Sequence, residues 1–118
     1  RNVENTDGKL LTEVYPGCDT INKMWEKMVK KYGDANCLGT REVIKVHQEK
    51  QDNGRVFEKL ELGEYLWESY VEVNDRSKAI ASGLLDIGHK RGENLVIFAD
   101  TRAEWMITAL ACFRSGIP

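Results

Sequence analysis

The sequence contains no apolar run near the roughly 20 residues that a membrane-spanning helix needs, and no N-terminal stretch with the composition of a signal peptide. It also has no excess of positive charge: 17 basic and 19 acidic residues leave a formal net charge of -2. Because nucleic-acid-binding proteins usually carry a basic face, we expect no nucleic-acid partner. The 118 residues suit one domain with no membrane anchor of its own.

Motifs for phosphate binding and catalysis are also missing. The ten glycines form neither G-x-G-x-x-G nor G-x-x-x-x-G-K-[ST], and there is no G-x-S-x-G elbow and no clustered set of metal ligands. Three cysteines, Cys18, Cys37 and Cys112, are too few and too scattered for a disulfide framework or a zinc site. We therefore predict that the chain holds no catalytic, cofactor-binding or metal-binding residue.

The two histidines and the last cysteine have ordinary explanations. His47 lies in a predicted hairpin without a second ligand nearby, which indicates a solvated strand residue. His89 is expected in an exposed charged loop. Cys112 falls on the apolar face of the last predicted helix, where a free cysteine behaves as a small buried hydrophobe.

The stretch 92–118 has the most regular pattern. Five apolar residues, 95–99, predict a strand covered on both faces, as in a parallel sheet. Thr101 and Glu104 have capping-box spacing, so a helix should start at Arg102. Gly116 fits a left-handed helix end and Pro118 blocks continuation. We expect half of a βαβ unit, and hence a fragment of a larger α/β domain.

The apolar positions of this helix predict which face it buries. We assign its core face to Trp105, Met106, Ala109, Cys112 and Phe113, widened by Ile107, Leu110 and Ala111. Trp105, one turn after the cap, is the expected core anchor.

Polar residues at the end of the predicted strand are the candidates for a ligand site. Asp100, Arg102 and Glu104 lie where ligands of open α/β sheets often bind. Helix capping and surface ion pairs explain the same residues without a ligand, and we favour that explanation.

The N-terminal part predicts an arm and a helix. Residues 1–18 have no sustained period and should form an extended arm. Asp19 or Thr20 can cap a helix that runs to Tyr32 and stops at Gly33. Its apolar stripe and its lysines allow a membrane-surface helix, but we favour packing on a core; the stripe comprises Ile21, Met24, Trp25, Met28 and Val29.

The middle of the chain predicts a hairpin followed by a helix. Residues 40–48 and 55–62 alternate as strands, and Asn53-Gly54 is typical of a type I′ turn. Residues 65–67 are a separate short aromatic strand candidate. Ser69 and Glu72 repeat the capping-box spacing, so a helix should cover 70–87 and end at Gly88. The order of elements indicates an α/β layered domain.

Three motifs together resemble one known family. Leu38-Gly39-Thr40-Arg41-Glu42, Tyr65-x-Trp67-x-x-Tyr70-x-Glu72-Val73 and Ile97-Phe98-Ala99-Asp100-Thr101-Arg102-Ala103-Glu104-Trp105-Met106 resemble the N-terminal region of long-chain fatty-acyl-CoA synthetases, closest to the animal subgroup. These enzymes belong to the adenylate-forming superfamily. The resemblance covers about 24–118, so 19–118 would be an incomplete α/β portion of the large N-terminal AMP-binding domain, with the hairpin at its periphery.

The resemblance implies an activity for the larger protein. It would use ATP and Mg²⁺ to convert a long-chain fatty acid to an acyl-adenylate, and would then transfer the acyl group to coenzyme A. The phosphate loop, the nucleotide contacts and the catalytic lysine of the family would lie beyond Pro118. Any membrane anchor would lie before Arg1, on a protein at the cytoplasmic face of the endoplasmic reticulum or mitochondrial outer membrane. This chain itself would be an inactive scaffold.

Two other functions remain open at this point. One is a self-sufficient α/β protein-interaction module. The other is a peripheral membrane-surface binder that uses Trp25 and the lysines of the first helix.

Overall fold

A computed structural model describes Gly8 and residues 13–118 of the chain. It contains three helices and one two-stranded antiparallel sheet within these residues. In chain order the elements are α1 (Ile21–Tyr32), β1 (Asn36–Lys50), β2 (Val56–Ser69), α2 (Tyr70–Asp86) and α3 (Ala103–Ser115). Most of the predicted arm, 1–7 and 9–12, lies outside the described residues. The fold is α/β, as the sequence predicts.

Helix α1 begins and ends where its sequence predicts. The Thr20 hydroxyl accepts a hydrogen bond of 3.2 Å from the backbone N–H of Lys23, and Gly33 ends the helix with φ 49°. Lys30 and Lys31 lie in the last turn, where positive charge complements the helix dipole.

Helix α2 has the predicted capping box. The Ser69 hydroxyl accepts from the N–H of Glu72 at 3.3 Å, and the Glu72 carboxylate accepts from the N–H of Ser69 at 2.7 Å. These reciprocal bonds satisfy two backbone donors that a helix start leaves unpaired. The helix ends at Asp86, one residue before the predicted end.

The hairpin is confirmed, but two of its predicted details are wrong. Residues 65–67 are not a separate strand, because β2 runs without interruption to Ser69. A register shift near Gly63 absorbs the apparent break, and Arg41 donates from Nε to the Gly63 carbonyl at 2.7 Å and from Nη2 to the Leu62 carbonyl at 2.9 Å. The turn is not type I′, since only Gly54 has positive φ (80°) and Asn53 does not.

Both faces of the hairpin are largely exposed. Lys59 forms an ion pair with Glu49 at 2.6 Å, and His47 Nε2 lies 2.8 Å from a Glu61 carboxylate oxygen. His47 is therefore the exposed strand residue that the sequence predicts, although it has a carboxylate partner. The exposed apolar side chains of the two strands are Val43, Ile44, Val46, Val56, Phe57, Leu60, Tyr65, Leu66 and Trp67.

The predicted strand at 95–99 does not form. This segment is irregular, and Val96 and Phe98 are 85% and 101% exposed. Two backbone hydrogen bonds nevertheless join residues 92–95 to the end of the chain. The Gly92 N–H donates to the Gly116 carbonyl and the Leu95 N–H donates to the Pro118 carbonyl, both at 2.9 Å. A strand needs a continuing ladder on a neighbour, and no strand lies beside 96–99 among the described residues.

The start of α3 also differs from its prediction. Its N-cap is Arg102, whose side chain makes no capping hydrogen bond to the helix backbone, so Thr101 forms no capping box with Glu104. The Glu104 carboxylate instead accepts from Arg102 Nε at 2.6 Å. The helix end is confirmed, because Gly116 adopts the left-handed conformation (φ 67°, ψ 38°).

The core lies where α2 and α3 meet. Val73, Ile107 and Leu110 form its centre; partly buried residues pack around them, namely Trp25, Cys37, Leu38, Ile80 and Ala103. Cys112 is buried, as predicted.

The predicted core face of α3 is confirmed for four of its eight residues, Ile107, Leu110, Ala111 and Cys112, and is wrong for its anchor. The buried residues are Ile107, Leu110, Ala111, Cys112 and Ser115, whereas the predicted anchor Trp105 is 40% exposed, and Met106 and Phe113 are exposed with it. Helix α3 packs against α2 through its buried residues. In the part of the chain that the structure describes, no element covers the other flank.

Candidate functional site

The candidate residues at the start of α3 form part of an ion-pair chain. Arg102 Nε lies 2.6 Å from a Glu104 oxygen, and the other Glu104 oxygen lies 3.8 Å from Arg76 Nη2. Arg76 also pairs with Glu68 at the end of β2. This chain of charges joins β2, α2 and α3. The third candidate, Asp100, has no ion-pair partner within 4 Å among residues 13–118.

The two closest charges of this chain stabilise each other. The hydrogen bond from Arg102 lowers the pKa of the Glu104 carboxyl, with a smaller contribution from a backbone hydrogen bond, and it raises the pKa of the Arg102 guanidinium. Both side chains are about half exposed or more. Water screens the pair, so its contribution to stability is small, of the order that exposed ion pairs usually make.

The geometry supports a structural role for these residues. The guanidinium groups of Arg76 and Arg102 are already paired with carboxylates. The turn 100–102 also has no glycine that would let the backbone approach a phosphate closely. Within the described ranges, no group of three or more His, Cys, Asp or Glu side chains could hold a metal ion. In the described part of the chain, the charged residues at the start of α3 therefore do not fit ATP or Mg²⁺. His89, predicted as exposed, is instead half-buried, with Nε2 3.1 Å from the Glu93 carbonyl.

A buried polar cluster joins the three helices, and it was not predicted from the sequence. The side-chain oxygen of Asn74, a residue only 7% exposed, accepts from Trp25 Nε1 at 3.2 Å and from Arg114 Nη2 at 2.8 Å. Arg114 Nη1 also donates to Glu26 at 3.1 Å. A signal was present in the sequence, because Asn74 and Ser77 share the helical spacing of the buried residue Ala81.

Similarity to known proteins assigns the family. Residues 44–118 match the family model described as "AMP-binding enzyme". The chain belongs to the AMP-binding enzyme family. The chain is also 44% identical to long chain acyl-CoA synthetase 8 of Arabidopsis thaliana over 92% of its length, and 31% identical to human long-chain-fatty-acid–CoA ligase 6 over 96%.

The match covers a small part of each relative. The chain spans 15% of the plant protein and 14% of the human one. Among solved structures it resembles the adenylation domain of a carboxylate reductase from Mycobacterium chelonae, with a TM-score of 0.66 and 25% identity over 88% of this chain and 15% of that one. The adenylation domain of the Segniliparus rugosus carboxylic acid reductase, in complex with AMP and a co-purified carboxylic acid, gives a TM-score of 0.62 and 26% identity over 83% of this chain and 16% of that one.

These similarities agree with the fold described above. The α/β arrangement of this chain corresponds to part of an adenylation domain. The described residues include no helix that is both long enough and apolar enough to cross a bilayer.

Proposed function

We propose that this chain belongs to a ligase that activates long-chain fatty acids. The enzyme would join the fatty acid to ATP as an acyl-adenylate and would then transfer the acyl group to coenzyme A, with Mg²⁺ at the phosphates. The 44% identity to a long chain acyl-CoA synthetase over 92% of the chain carries this proposal. Relatives in plant, fungus and human, named as a long chain acyl-CoA synthetase or as long-chain-fatty-acid–CoA ligases, support it further.

Within that enzyme, we propose a scaffold role for residues 19–118, as part of the large N-terminal AMP-binding domain preceded by the arm 1–18. No step of the reaction is assigned to a residue of this chain. Support comes from the ion-pair chain at α3, whose Arg76 and Arg102 are already paired with carboxylates. The absence of a glycine-rich loop supports the same conclusion.

Subgroup and location are finer proposals. The motifs resemble the animal enzymes, but the plant relative is more similar (44%) than the human one (31%), so identity does not favour the animal subgroup. We infer an enzyme at the cytoplasmic face of the endoplasmic reticulum or mitochondrial outer membrane, held by a segment outside residues 1–118. The family resemblance is the support for this location.

The membrane-surface alternative loses the residue on which it depended. Trp25 stacks on Tyr70 with ring centroids 5.6 Å apart, and its indole N–H bonds to Asn74. These contacts support a packing role for Trp25 rather than insertion into a lipid interface. The interaction-module alternative remains as an outcome of the experiment below.

A segment exchange tests the proposal. The corresponding segment of the Arabidopsis synthetase is replaced by this chain, and oleoyl-CoA formation is measured with ATP, Mg²⁺, oleate and coenzyme A. We expect activity in the chimera and none in the isolated chain. The matched control replaces the fully buried Ile107 by Asp in the chimera, which should abolish folding and activity.

Two results would contradict the proposal. A chimera that folds and binds nucleotide but forms no oleoyl-CoA would favour the interaction module. Turnover by the isolated chain, above a no-protein control and surviving further purification, would show that catalytic residues lie within 1–118.

A further inference from the structure

A groove of about 550 Å³ lies between α2 and α3, at the C-terminal end of α3. This volume is within the range of about 300–1,000 Å³ that is usual for small-molecule sites. The α2–α3 groove is lined by Lys78, Ala81, Ser82, Leu85, Arg91, Arg114 and Ser115. Its floor is therefore made by small and apolar side chains and by the alkyl parts of long basic ones.

The ionisable side chains of the groove are all cations, and two of them are already paired. Lys78 Nζ lies 3.1 Å from Asp75, and Arg114 Nη1 lies 3.1 Å from Glu26. Arg91 has no carboxylate within 4 Å among the residues that the structure describes. One positive charge in the groove is thus left without a counter-charge.

Arg91 is exposed, and two contacts orient its side chain. Its Nε donates to the Ser115 carbonyl at 3.3 Å. Its side chain also packs closely over Gly116, where an added Cβ would lie 2.8 Å from Nε and 3.2 Å from Cγ. The two Nη atoms have no hydrogen-bond partner within the described part of the chain. A guanidinium held at Nε and open at both Nη atoms can bind a carboxylate with two hydrogen bonds.

We propose that the α2–α3 groove binds a monocarboxylate that carries an apolar chain. The carboxylate meets the Nη atoms of Arg91, and the chain lies along Ala81, Leu85 and the alkyl part of Lys78. A single uncompensated cation matches a monoanion, whereas a phosphate dianion would leave one negative charge without a partner. The site goes beyond the proposed ligase reaction, and binding to it needs neither ATP nor coenzyme A.

Calorimetric titration of the full chain with decanoate, below its micelle concentration, tests the site. We expect one binding site. Acetate has the head group without the chain, and decyltrimethylammonium has the chain with the opposite charge, so both should bind much more weakly. Arg91→Gln should weaken decanoate binding by at least about ten-fold, because a charge-assisted pair of hydrogen bonds is lost. The matched control Arg55→Gln, near the start of β2 and outside the groove, should bind as the wild type does.

A second variant keeps the test decisive if Arg91→Gln fails to fold by circular dichroism. Leu85 is 49% exposed, so Leu85→Glu should be tolerated, and it places a negative charge on the groove floor. We expect Leu85→Glu to weaken decanoate binding as strongly as Arg91→Gln does. Unchanged binding in a folded Arg91→Gln or Leu85→Glu variant would overturn the proposal. An equal loss in Arg55→Gln, or tighter binding of decyl phosphate than of decanoate, would also overturn it.

Discussion

Arg114 on α3 donates a hydrogen bond of 2.8 Å to the side-chain oxygen of Asn74 on α2. The same oxygen accepts from Trp25 on α1, so one amide group connects all three helices. Asn74 lies next to the fully buried Val73 in sequence. A polar group in such a place is tolerated because its hydrogen bonds are made.

Replacing Asn74 by Ala should destabilise the chain by about 1–3 kcal/mol, the usual cost of leaving buried polar groups unpaired. The Trp25 indole N–H and one guanidinium N–H would each lose a partner. Urea unfolding followed by tryptophan fluorescence measures the change. The exposed neighbour Asp75 is the control, and Asp75→Ala should change stability by less than about 0.5 kcal/mol. Equal effects of the two substitutions would contradict the structural role of the Asn74 cluster.

The capping box predicts a second measurable loss. Ser69→Ala removes the acceptor for the Glu72 N–H and should cost about 0.5–2 kcal/mol, the range for N-cap removal. Ser82 is exposed in the interior of α2 and does not cap it, so Ser82→Ala should have almost no effect. Helix content by circular dichroism should fall in the first variant alone. A Ser69→Ala chain as stable as the wild type would mean that the cap makes no net contribution.

Two carboxyl groups predict lower stability in acid. Hydrogen bonds from the Ser69 backbone and hydroxyl lower the pKa of Glu72, and the hydrogen bond from Arg102 lowers that of Glu104. The ordinary glutamate pKa is about 4.3, so as pH falls the unfolded state takes up protons first. The stabilisation is therefore complete above about pH 4.3 and is lost as pH falls through the lower folded-state pKa.

Urea midpoints measured from about pH 6 to about pH 3 test this direction. Glu72→Gln should flatten the profile in that range. The same substitution in a Ser69→Ala background should flatten it somewhat less, because the hydroxyl bond is already gone while the larger contribution, from the backbone N–H of residue 69, remains. Stability that rises on acidification would show that the assigned sign is wrong.

Local signals explain what could be predicted from the sequence. The Ser69–Glu72 box, the Gly33 stop and the Gly116 end are each decided by residues within one turn, so spacing alone located them. The hairpin was predicted because its turn and alternating strands are close together in the chain. The family resemblance placed the whole arrangement in an adenylation domain, which the solved structures confirm.

Features that depend on distant residues could not be predicted in the same way. Strand formation at 95–99 requires a neighbouring strand, which the described residues do not supply. The apolar residues of α3 surround the helix, so its own sequence does not reveal which flank meets α2. Glu104 had a possible partner in Thr101, but Arg102 and Arg76 compete for it with charge. Two of the three candidate ligand residues, Arg102 and Glu104, consequently belong to a structural ion-pair chain.

The buried face of α3 predicts different costs for two substitutions. Ile107 is fully buried, so Ile107→Ala should cost about 2–5 kcal/mol. Trp105 is 40% exposed, so Trp105→Ala should cost much less in this chain. In an intact AMP-binding domain we expect Trp105→Ala to cost about 3–5 kcal/mol, the range for a buried Trp. Thermal unfolding of both variants in both contexts measures the difference. An equal effect of Trp105→Ala in the two contexts would show that nothing else covers this flank.

Amide hydrogen exchange distinguishes the segment 95–99 from the helix that follows it. The amides of Val96, Ile97 and Phe98 make no backbone hydrogen bond to a described residue, so they should exchange within the dead time. Those of Leu110 and Ala111 lie in the buried helix and should be protected. In the chimeric synthetase, a neighbouring strand on each side should protect the first group as well, because consecutive amides of a strand donate to opposite neighbours. Rapid exchange at 96–98 in an active chimera would contradict the strand assignment, and slow exchange there in the isolated chain would show that the segment is already paired.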